Sequence, residues 1–60
     1  MPDSGLRILV VDDHRDTRLW LAEELARAGL RVHCVASGEE ALAELAGFMP
    51  DAVLLDVMMG

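Results

Sequence analysis

Apolar positions along the 60-residue chain form three short runs, the first and third unbroken and the second alternating, separated by two longer stretches with helical spacing. The first run, Ile8-Leu9-Val10-Val11 within "LRILVVDD" (6–13), is too short for a helix and rich in β-branched residues, as expected of a strand covered on both faces. "HRDTRLWLAEELARAG" (14–29) then holds strong helix formers, with Thr17, Leu21, Leu25 and Ala28 at helical spacing and Gly29 as the stop. Asp16 falls in its first turn, where negative charge suits the helix dipole. "LRVHCVA" (30–36) reads as a second strand. "SGEE" (37–40) matches a capping box, with Ser37 as N-cap and Glu40 three residues on, and opens a helix through about Ala46 that Gly47 and Pro50 end. "DAVLLDVMM" (51–59) is the third strand.

The order is therefore βαβαβ with short connections, which predicts an α/β fold with a parallel sheet and right-handed crossovers. Parallel strands end on one edge of the sheet, where open α/β sheets bind ligands, so Asp12 and Asp13 after the first strand and Asp56 after Leu55 face one crevice. Neighbouring strands lie about 4.8 Å apart, so the strand order decides whether these acids meet. In the order 1-2-3 they stand roughly 10 Å apart, and in the order 2-1-3 they are adjacent and can share one cation. Crowded carboxylates repel one another, and a hard divalent ion with oxygen ligands, above all Mg2+, relieves that repulsion. An aspartate at a strand end also serves as a turn former or helix cap, and each end taken singly admits that reading.

Composition narrows the field. A chain of 60 residues, 53% hydrophobic and 27% charged, fits one small domain near the lower limit of independent stability. It contains no apolar run approaching the ~20 residues that span a bilayer, so no membrane insertion is expected. "MPDSGLR" lacks the basic start and apolar core of a secretory signal, which points to the cytoplasm. Eleven acidic residues oppose five arginines, giving a net charge of −6 with no lysine, a poor basis for direct nucleic-acid binding. Cys34, the single cysteine, excludes an internal disulfide and a multi-cysteine zinc site.

The stretches "ILVVDD" (8–13), "SGEEAL" (37–42) and "PDAVLLDVMM" (50–59), in this order and at this spacing, resemble the receiver domain of two-component response regulators. The resemblance covers essentially the whole chain and implies the N-terminal half of a receiver over residues 1–60: three strands and two helices in three layers, half of a flavodoxin-like doubly wound sheet with strand order 2-1-3. It implies a phosphoacceptor module, not an enzyme. Asp56 would take a phosphoryl group from a sensor histidine kinase or phosphotransfer protein. Mg2+ would be held by Asp12, Asp13, Asp56 and the backbone carbonyl of Met58. Receivers usually have Pro where Gly60 stands, then a Ser or Thr and a Lys from later strands on the phosphoryl group. Without these, Asp56 is expected to react poorly.

Other readings belong beside this one. A self-associating structural or engineered half-domain would keep the acidic edge without effective phosphotransfer. Val53-Leu54-Leu55 lacks the charges or proline that protect natural sheet edges, so self-association is expected through the third strand or by exchange of a helix and strand. A haloacid-dehalogenase-like phosphatase would want a second Asp where Met58 stands. His14 reads as a first-turn helix residue facing solvent, because a Mg2+ site prefers oxygen. By resemblance, His14, Arg15 and Arg18 lie toward the phosphodonor. Cys34 reads as a small buried thiol and Trp20 as a partly buried packing residue.

Overall fold

The computed structural model describes residues 5–55. Its elements run β1 (Arg7–Val11), α1 (Arg15–Arg27), β2 (Arg31–Val35), α2 (Gly38–Phe48) and β3 (Ala52–Leu55). The three strands form one parallel sheet in the order β2-β1-β3. Register is continuous across it: Leu9 stands between His33 and Val53, and Val11 between Val35 and Leu55.

This order follows from two crossovers that leave β1 in opposite directions. The chain steps from β1 to β2 on one side, then returns past β1 to β3 on the other. Two crossovers of the same hand then place their helices on opposite faces. Side chains bear this out. Cys34 faces α1, its Sγ donating to the Arg18 carbonyl at 3.6 Å, while its neighbour His33 faces α2, with Nε2 2.8 Å from Glu44 Oε1. The result is three layers, with the direction reversing at β1. A reversal of that kind opens a crevice at the carboxyl ends of the strands.

The core is centred on β1, whose Leu9 and Val10 are almost wholly buried. Leu9, Val11, Val35 and Ala41 form one cluster against which Phe48 packs. Neither helix packs on β3, which rests on β1 alone among the described residues. Val53, Leu55, Leu42 and Met49 are accordingly exposed. A cleft of about 740 Å³ lies between the end of α2 and β3, lined by Leu45, Ala46, Met49, Pro50, Asp51 and Val53.

Helix ends depart from the sequence expectations in instructive ways. Ser37 caps α2 as predicted, its Oγ accepting from the Glu40 N–H at 3.2 Å. Glu40 reaches back one residue further than in the usual box, accepting from the Ala36 N–H at 2.9 Å. Gly47 does not end α2. The helix continues to Phe48, whose ring covers the core and stacks on His33 at a centroid distance of 5.4 Å. It stops at Met49, which adopts φ 53 and donates to the Leu45 carbonyl. In α1, His14 is the N-cap and Arg15 the first helical residue. The chain then leaves α1 in a Schellman motif, Gly29 (φ 89) donating to Ala26 and Leu30 to Leu25. Leu21 and Leu25 are half-buried as the periodicity predicts, but Ala28 is exposed at the C-cap. Trp20 is 60% exposed, not partly buried, because it lies one position, some 100°, off the Thr17–Leu21–Leu25 stripe. The third strand is seen as far as Leu55, and its predicted continuation over 56–59 lies outside the described residues.

Candidate functional site: the acidic end of the sheet

Asp12 follows the last residue of β1 and still belongs to the ladder, its N–H donating to the Val35 carbonyl at 3.1 Å. That bond carries its side chain inside the protein, where Asp12 is only 1% exposed. Asp13, one step on, is exposed. The turn into α1 is built on these two residues. Asp12 Oδ1 accepts from the His14 backbone N–H at 2.8 Å, an Asx turn that redirects the chain from strand to helix. The Arg18 guanidinium reaches back to donate to the Asp12 carbonyl at 2.8 Å. The turn is thus fixed from both sides.

His14 is the surprise of the site. Its side chain is half exposed, as expected, yet Nδ1 also lies 2.9 Å from Asp12 Oδ1 and 3.0 Å from Asp13 Oδ1. Both neighbours are carboxylate oxygens, so Nδ1 carries the hydrogen. One ligand atom from each of Asp12, Asp13 and His14 lies within 4.8 Å of the other two. The arrangement follows from the Asx turn, which brings residue 14 back over residue 12, a detail that apolar periodicity does not encode.

A buried carboxylate needs a cation or several hydrogen bonds to remain charged. With an exposed carboxylate beside it, the oxygen donor set suits a hard divalent cation that keeps part of its water shell. Asp12 and Asp13 each offer a carboxylate oxygen to this cluster. Asp56 and Met58 lie outside the described residues, and β3 brings the chain to Leu55, opposite Val11, one residue before Asp56. Arg15 is exposed on the first turn of α1, whereas Arg18 is engaged with the Asp12 carbonyl.

One contact away from the acidic turn carried no signal in the sequence, and one reading made there is met by the structure. His33 pairs with Glu44 and Phe48 only because α2 crosses β2 at that point. Cys34 lies beneath α1, where burial raises its pKa above the ordinary thiol value and the Arg18 charge partly offsets the rise. An inert thiol of that kind fits the structural reading of Cys34.

A parallel α/β sheet in the order β2-β1-β3, with Asp12 and Asp13 at the carboxyl end of β1, has the doubly wound arrangement in which ligands bind at the strand ends. The sequence profile of the response regulator receiver domain matches residues 8–60. The chain belongs to the response regulator receiver domain family, whose members are phosphoacceptor signalling modules. It is 50% identical over 54 residues to response regulator MprA of Mycolicibacterium vanbaalenii, a match covering 90% of this chain and 23% of that protein. MprA of Mycobacterium avium is 48% identical over 54 residues, covering 90% and 24% respectively. Regulatory protein AtoC of Escherichia coli is 42% identical over 53 residues, covering 88% and 12%. The chain therefore spans about a quarter or less of the length of these relatives. No solved structure matches significantly. Among the described residues no helix is long and apolar enough to cross a membrane.

Proposed function

We propose that residues 1–60 are the N-terminal half of a receiver that accepts a phosphoryl group on Asp56 in the cytoplasm, from a sensor histidine kinase or phosphotransfer protein. A carboxylate oxygen of Asp56 attacks phosphorus, the bond from phosphorus to the donor nitrogen breaks, and the donor imidazole leaves as Asp56 becomes an acyl phosphate. Asp12, Asp13, Asp56 and the Met58 carbonyl would hold Mg2+, which supplies compensation for charge on the phosphoryl oxygens when bound. Asp12 anchors this set from a buried position, and Arg18 and the Asx turn hold the β1–α1 turn in place. The chain transfers no group onward to a small-molecule substrate, binds no nucleic acid directly and inserts in no membrane.

The observation that carries this reading is the pairing of β1 with β3. With the strands adjacent and in register to Val11 and Leu55, the residues that follow each strand are the two acidic positions the chemistry requires. Phosphoryl uptake by the wild-type chain and by Asp56→Asn, followed by intact mass, tests it.

A second reading, self-association, is favoured by the β3 side. Leu55 is 70% exposed and Val53 42%, beside the apolar cleft at the end of α2. A second copy adding its β3 there would cover both the strand edge and those side chains. Light scattering coupled to size exclusion should give a two-chain mass, and a folded species of one-chain mass would contradict it.

A further inference from the structure

The His14 ring occupies the space that a cation between Asp12 and Asp13 would need. Its Nδ1 lies 2.9 and 3.0 Å from one oxygen of each carboxylate, so a single N–H is shared between the two acids. An ion bonded to those oxygens at the ~2.1 Å typical of Mg2+ would crowd that hydrogen. The ring must therefore turn away, or lose the Nδ1 hydrogen and become a ligand. Imidazole suits softer transition ions, whereas Mg2+ favours oxygen donors and retained water. For Mg2+ the first course follows.

We propose that His14 gates the cation site: its Nδ1–H occupies one oxygen of each carboxylate while no ion is bound, and its withdrawal is the cost of loading them with Mg2+. This rests on the receiver reading above and adds to it a residue that sets the affinity. The geometry makes withdrawal feasible. The His14 side chain is 52% exposed, so solvent is open to the displaced ring. Its backbone N–H bond to Asp12 Oδ1 is separate from the ring and persists when the ring moves. The side chain makes no capping hydrogen bond to α1, so the helix start does not depend on it.

The test is Mg2+ titration of the full 60-residue chain and of His14→Ala, followed by amide shifts at residues 12–14, with circular dichroism as the check on folding. Removing a competing hydrogen bond of ordinary strength should tighten Mg2+ binding about three- to tenfold in His14→Ala. In the wild type, the ring nitrogen resonances of His14 should move with the same midpoint as the amides, because the ring leaves as the site fills. Equal or weaker affinity in His14→Ala, or ring resonances that stay in place while the amides shift, would overturn the gate and leave the cation site standing. Amides unresponsive to Mg2+ in both proteins would remove the site and the gate together.

Discussion

Val11 of β1 stands directly opposite Leu55 of β3 in parallel register, and each is followed in the chain by an aspartate. The two residues differ in environment: Val11 is buried under α2 with Leu9 and Val35, while Leu55 is exposed. The acidic edge is thus held from the β1 side, where the core, the Asx turn and Arg18 all converge. The stability of β1 sets the precision of the site.

Leu9 is the residue on which that stability depends most. It is fully buried at the middle of the central strand and belongs to the cluster with Val35 and Ala41. Leu9→Ala should destabilise the fold by about 2–5 kcal/mol, through lost transfer energy and the cavity left behind. In so small a domain that is comparable to the whole stability. Circular dichroism melts should show loss of the cooperative transition, and an unchanged midpoint would contradict the placement of the core.

Ser37 tests the local logic of α2. Its Oγ caps the Glu40 N–H, and Glu40 in turn caps the Ala36 N–H. Ser37→Ala should cost about 1 kcal/mol and Ser37→Gly only a few tenths. Urea unfolding, with the midpoints of the two variants compared, reads this difference directly.

Cys34 couples stability to pH. Burial raises its thiol pKa, so the folded chain holds that proton more tightly than the unfolded one. This contribution is fully present below the unfolded thiol value and is lost as pH rises above about 8.5 toward the folded value. The urea midpoint should fall on the alkaline side in the wild type, and less so in Cys34→Ala. Alkylation at neutral pH should be slower in the native chain than in urea, and more slowly still in Arg18→Ala, which removes the charge that opposes the rise.

Much of this was legible in the residues. The run Ile8–Val11, the stop at Gly29 and the pair Ser37 and Glu40 each encode local structure, and each is found where the pattern places it. Strand order was not encoded by any run taken alone; it followed from the receiver resemblance, and the sheet has that order. Gly47 misled because its helix-breaking tendency is weaker than the gain from packing Phe48 onto the core. His14 is exposed at the start of α1 as read, but its contact with the two carboxylates was missed for a different reason. Its role depends on an Asx turn that curls residue 14 back over residue 12, a three-dimensional event without periodicity. His33 and Glu44 meet across two elements and leave no trace in spacing.

The most direct measurement of the central claim is intact mass spectrometry after incubation with acetyl phosphate, run with and without Mg2+. The account predicts a slow mass increase of one phosphoryl group in the wild-type chain, reached only on prolonged incubation, that depends on Mg2+ and is absent in Asp56→Asn. No increase after prolonged incubation, or one that persists in Asp56→Asn, would contradict it.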